Sequence, residues 1–290
     1  MAKLHSSRCQ SYGQRQQGFT LVELIIVIVI LGVVSSMAAV FMRGPIDAYF
    51  AVARRAALTD LADTVLRRME RDVRKALPNS LRTPTTAGTN QCLEFIPTKT
   101  GGRYRADDTA AGLNFAAADT AFNMLGQNSV LPVDQRIAVG DLVAVYNLGP
   151  SVSAADAYTQ NNTSTVTAIG TEFQNTLPLT GWETPLSISA KQFPLESGSR
   201  RFHVIPAAER VVSYVCSGGK LYRTVNALNF TSACPASGAV IADNVSSCFF
   251  DYSGDDLTRN AMVRIVLRLQ NSSATETMQL QQEIQVNNTP

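Results

Sequence analysis

The chain has 290 residues, a formal net charge of +2 at pH 7 and only 17% charged side chains. No basic surplus exists for a nucleic-acid surface, so no nucleic acid is expected as a partner. Beyond its apolar N-terminal run the chain is long enough for one globular domain with a sizeable core.

Residues 1–17 carry Lys3, Arg8 and Arg15 and no acid. A charge-free run then extends from Leu24 to Met42 and stops at Arg43. At a rise of ~1.5 Å per residue it covers a little under ~30 Å, the hydrocarbon thickness of a bilayer. Basic residues ahead of such a run place its N-terminal side in the cytoplasm. A signal peptide cleaved near Ala38, or an uncleaved anchor, would share this outline, but the run exceeds an ordinary signal-peptide core. Glu23 stands at its entrance, and ionisable groups at membrane depth are costly enough to be functional candidates.

Gly44-Pro45 predicts a kink or break, because proline lacks the backbone donor that a helix needs. Ile46, Phe50, Ala53, Ala57, Leu61, Val65, Met69, Val73 and Leu77 then recur every three or four residues. That spacing predicts an amphipathic helix over 44–81, ended by Pro78-Asn79. From Leu61 onward the stripe is read as packing on the protein's own sheet. Ile46 to Ala57 is open to either that sheet or neighbouring subunits.

Residues 82–290 read as a β-rich domain, giving an α+β chain with antiparallel sheets. Strands are expected at 92–96, within 136–147, at 163–169 and at 247–252. Val211–Val215 and Lys220–Thr224 flank Ser217-Gly218-Gly219, a hairpin signal. Segments 261–269 and 277–286 form a final pair. Residues 105–130 and 151–162 are read as loops, and Pro178, Pro185 and Pro194 make 182–195 irregular.

Cys92, Cys216, Cys234 and Cys248 lie beyond the apolar run, an even number suited to two disulfides in an oxidising compartment. Three connectivities are open; Cys216–Cys234 with Cys92–Cys248 is the favoured one, because the first closes a local loop. Asp251, Asp255 and Asp256 are a weak calcium candidate on a turn and lack the spacing of a calcium-binding loop. No nucleophile elbow, phosphate loop or dinucleotide fingerprint is present, so neither catalysis nor a cofactor is expected.

Gly18-Phe19-Thr20-Leu21-Val22-Glu23-Leu24 resembles the processing motif of type IV prepilins and type II secretion pseudopilins. The resemblance implies a leader, 1–18, removed by a prepilin peptidase after Gly18, with Phe19 becoming an N-methylated first residue. It implies an assembly helix, 19–43, that sits in the inner membrane and later packs on other pilins. Glu23 would meet a neighbour's terminal amine. The stretch 44–81, with the C-terminal segments 260–269 and 281–287, is similar to MshO-type minor pilins of the mannose-sensitive haemagglutinin pilus. Arg68 to Ala76 also resembles J-type minor pseudopilins. The expectation is a low-copy minor pilin with a periplasmic domain 82–290, ending at the cell surface. The alternatives are a type II secretion pseudopilin, or a tip adhesin binding through loops 105–200.

Overall fold

The computed structural model describes residues 18–84, 92–105, 111–150, 152–175, 181–228, 234, 237–253, 260–272 and 276–290. The chain divides into two compact units, the first ending at Arg54 and the second running from Arg55 to Pro290. Residues 1–17 of the expected leader 1–18, and Asp255 and Asp256, lie outside the described residues.

Helix α1 runs from Leu21 to Arg74 with Pro45 inside it, so of the expected kink or break the break does not form. Proline removes one donor, and the long helix-forming flanks outweigh that single loss. The helix also ends ahead of Pro78. The N–H groups of Lys75 and Ala76 turn to the carbonyls of Asp72 and Val73, and Leu77 N–H leaves the helix to donate to Ile96 O at 2.7 Å.

Among the described residues fourteen strands follow. In chain order they are β1 (Cys92–Phe95), β2 (Thr100–Tyr104), β3 (Asp119–Leu125), β4 (Leu142–Val145), β5 (Thr163–Ile169), β6 (Phe173–Asn175) and β7 (Gly181–Lys191). Then come β8 (Arg201–Ile205), β9 (Val211–Ser217), β10 (Lys220–Asn226), β11 (Ala239–Asp243), β12 (Val245–Ser253), β13 (Asn260–Gln270) and β14 (Thr277–Asn287).

Two antiparallel sheets form a platform, with orders β1-β9-β10-β11 and β12-β13-β14. The buried stripe of α1, Ala62, Val65, Leu66, Met69 and Val73, shares one core with Phe95, Tyr214, Leu221, Phe250, Ile265 and Ile284 from these sheets. Polar groups fasten the helix as well. Tyr214 Oη donates to Asp72 Oδ2 at 2.7 Å, and Arg223 bridges Asp72 (3.0 Å) to both oxygens of Glu209. The hairpin β9–β10 turns on Gly218 and Gly219, both at positive φ, as its sequence requires.

Strands β1 and β9 pair directly, Phe95 opposite Val212, yet 96–210 lie between them in sequence. That intervening chain closes on itself. β2 pairs with β3 and β8, β4 with β8 and β5, and β7 with β5 and β3, a ring of six antiparallel strands. β6 lies along the end of β7 outside the ring. The interior is filled by Tyr104, Phe122, Met124, Val143, Val166, Leu186, Phe202 and Val204. Closure removes the open edges that a small sheet would expose.

The central region is therefore a closed barrel inserted between β1 and β9: the strands expected within 136–147 and at 163–169 are β4 and β5 of it, and β7 runs through the stretch read as irregular at 182–195. β3 replaces part of the expected loop 105–130. The stretch 151–162 holds two short 3₁₀ turns, Ser153–Ala155 and Ala157–Thr159, with Ala155, Ala157 and Tyr158 buried. Pro185 is accommodated inside β7 because it faces the connection between β5 and β6. There Gly170 N–H reaches Pro185 O at 2.8 Å, and a side chain on Gly170 would collide with the proline ring at 2.9 Å.

All four expected cysteines are disulfide-bonded, but the favoured pairing is wrong. The bonds are Cys92–Cys234 (Cα–Cα 5.7 Å) and Cys216–Cys248 (6.1 Å). Cys92 opens β1 opposite Val215 of β9, and Cys234 joins both in one small cluster. Cys216 is thereby left to meet β12, and its bond joins the two platform sheets covalently.

Candidate functional site at the N-terminal motif

Gly18, Phe19 and Thr20 precede the helix, and the first intrahelical bond runs from Leu24 N–H to Thr20 O at 3.2 Å. Thr20 is thus the N-cap and Glu23 occupies the third helical position. The Glu23 N–H donates to Thr20 Oγ1 (3.3 Å), and the Thr20 N–H donates to Glu23 Oε2 (3.4 Å). This reciprocal pair is a capping box, long in its distances, that satisfies two of the donors a helix start leaves bare. The Glu23 carboxylate also sits where the positive end of the helix dipole favours an anion. Thr20 had no role in the sequence reading, although Thr-x-x-Glu ahead of an apolar run is the signature that marks it.

The capping box aims a Glu23 oxygen at the backbone of Thr20, one residue beyond the Phe19 nitrogen. Among the described residues nothing lies within 4 Å of a Cβ placed on Gly18, so none of them requires glycine there. Phe19 is 82% exposed.

Behind the motif, every large apolar side chain from Leu21 to Met42 is exposed, on all faces of the helix. The segment is long and apolar enough to cross a membrane. Burying one aliphatic side chain is worth about 1.5–3 kcal/mol. A helix with this many uncovered side chains is therefore stable in lipid or against other apolar helices, and unfavourable in water.

The remaining candidates divide. Asp251 is exposed on β12, opposite Arg264 of β13, and no group of three or more potential ligands gathers among the described residues. His203 lies on β8 with Gly101 and Ala144 as its cross-strand partners, small neighbours that leave room for the imidazole. Its Nε2 is buried and has no hydrogen-bond partner among the described residues. Burial, reinforced by Arg201, pushes its pKa down to about 4, so the ring is neutral and belongs to the packing.

The prokaryotic N-terminal methylation motif matches residues 13–39. No curated protein and no solved structure matches the chain. The motif, together with one long apolar N-terminal helix and antiparallel sheets, makes the chain type IV pilin- or pseudopilin-like. These are the features of a non-catalytic structural protein.

Proposed function

We propose that the chain is a minor pilin of a type IV pilus, MshO-like, that takes part in pilus assembly or initiation. A prepilin peptidase removes residues 1–18, and Phe19 becomes the N-methylated first residue. The mature subunit waits in the inner membrane as a single-pass protein with its C-terminal domain in the periplasm. It then moves into the fibre at the cell surface, where apolar helices of major and minor pilins replace lipid around it.

The observation that carries this reading is the uncovered apolar helix that starts at Leu21, three residues after Gly18, with Glu23 in its first turn. An ammonium and a carboxylate in an apolar surround are each costly alone and far less so as a pair. Glu23 accordingly favours docking at a stagger that brings a neighbour's Phe19 amine to its carboxylate. The unconstrained space at Gly18 supports recognition by an outside enzyme as the reason for glycine there. The inserted barrel supports a low-copy place near the tip, since every repeat of the subunit along a thin fibre would have to accommodate its bulk.

The resemblance of Arg68–Ala76 to pseudopilins keeps a type II secretion role as the second reading. That stretch does not separate the two, because Met69 and Val73 belong to the platform core and answer to packing in either system. An adhesive role would rest on the rims of the barrel rather than on free loops.

The intact mass of protein purified from membranes containing a prepilin peptidase tests the processing step. A species beginning at methylated Phe19 is expected. Gly18→Trp should retain the leader, and an unchanged mature mass for that variant would refute the cleavage assignment.

A further inference from the structure

Three points where the chain leaves a regular element meet in one buried place. Asn79 follows α1, Asn147 follows β4, and Asn288 follows β14, and their exposures are 8%, 2% and 3%. The Asn79 N–H donates to Asn288 Oδ1 at 3.2 Å. Its side-chain amide donates to the carbonyls of Asn147 (2.9 Å) and Asn288 (3.2 Å). In return, Asn147 Nδ2 donates to Pro78 O at 2.7 Å, and its Oδ1 accepts from Ala157 N–H at 2.9 Å. Asn288 Nδ2 donates to Tyr252 Oη at 3.0 Å. Each asparagine thus binds a different part of the chain: the helix end, the barrel and the platform.

The backbone here is held in unusual conformations. Asn79, Tyr146 and Gly149 have φ of 57°, 50° and 79°. A left-handed tyrosine is rare and persists only where its surroundings over-determine it. The fit is also close: a Cβ on Gly149 would lie 2.3 Å from Asn79 O. A second fastening lies beside the first. Tyr158 Oη donates to Ser80 O at 2.8 Å, and the Arg82 guanidinium sits 3.7 Å over the Tyr158 ring.

The apolar seam between barrel and platform, with Leu77, Ile96, Leu142, Ala144 and Ile205, supplies adhesion. Apolar burial is non-directional and tolerates sliding, whereas amide hydrogen bonds are directional and lose their energy once misaligned. We propose that this three-asparagine clasp sets the stance of the inserted barrel on the platform. The seam holds the two together and the clasp allows one orientation. Contacts received by the barrel are then delivered to the C-terminal end of α1 without slack, whatever the barrel touches.

The test uses the full chain in detergent micelles with both disulfides intact. Nitroxide labels at the exposed positions Val130 and Gln279, attached through non-cysteine chemistry, report the barrel-to-platform distance by pulsed electron resonance. Gly149→Ala drives a methyl group into Asn79 O, and Asn147→Ala cuts the clasp on the barrel side. The parent should give a single narrow distribution. In a variant whose Trp182 emission remains native, the distribution should broaden about twofold or more. An unchanged width in the folded variants would overturn the proposal. So would unfolding of the barrel in both, since the clasp would then serve folding rather than stance. If only one variant folds, its width decides.

Discussion

Lowering the pH should weaken the globular unit through His203, by an amount that the burial of this residue sets. The pKa is held at about 4 in the folded protein, against an ordinary value of 6.5. The unfolded chain therefore binds a proton between these values and the folded protein does not. Stability is full above pH 6.5 and falls as the pH drops toward 4. At 1.36 kcal/mol per pKa unit the complete loss is about 3 kcal/mol, and about 2 kcal/mol of it is reached at pH 5. The assay is urea unfolding of the full chain in detergent at pH 7 and pH 5, followed by the single tryptophan, Trp182, which lies in the same barrel. His203→Gln provides the reference, since it keeps a polar group of similar size that does not titrate. Between the two pH values the parent should lose about 2 kcal/mol more than the variant. Equal losses, within about 0.5 kcal/mol, would refute the assignment of a neutral, desolvated imidazole.

The other expectations concern the termini of assembly and the covalent frame. Glu23→Ala should be cleaved and methylated normally but enter fibres poorly, and normal incorporation measured by quantitative mass spectrometry of sheared pili would count against the docking role. Peptide mapping without reduction should recover Cys92 linked to Cys234 and Cys216 linked to Cys248. Cys216→Ser with Cys248→Ser should destabilise the platform by about 2–4 kcal/mol, since the bond closes a separation of 32 residues between two sheets. Met69→Ala leaves a cavity at a fully buried position where helix and sheets meet, with an expected cost of about 2–5 kcal/mol in the same unfolding assay.

What could be read directly from the chain is what depends on neighbours in sequence. The apolar run, Glu23 at its entrance and the Gly18-Phe19 junction are consecutive, so the membrane segment and candidate site were visible without a fold. The period of Val65, Met69 and Val73 places them on one helix face, and the glycine pair at 218–219 turns a hairpin wherever it stands. Thr20 was equally legible as a cap and was overlooked. Pro45 warned of a break, but a single missing donor does not outweigh the helical residues on both sides.

The barrel was decided only in three dimensions. β3 pairs with β7, far along the chain, and that pairing turns a polar, proline-interrupted stretch into a closed ring. Pro185 argues against a strand until the gap between β5 and β6 is seen opposite it. The disulfides follow the same rule. Proximity in sequence favoured Cys216 with Cys234, but the β1–β9 ladder carries Cys92 to Val215 and leaves Cys216 for β12. The asparagine clasp is the extreme case: 79, 147 and 288 share no local pattern. Local chemistry determines the helix, the hairpins and the N-terminal motif, because their partners lie within a few residues. The barrel, the bonds between cysteines and the clasp depend on pairings that exist only after distant strands have met.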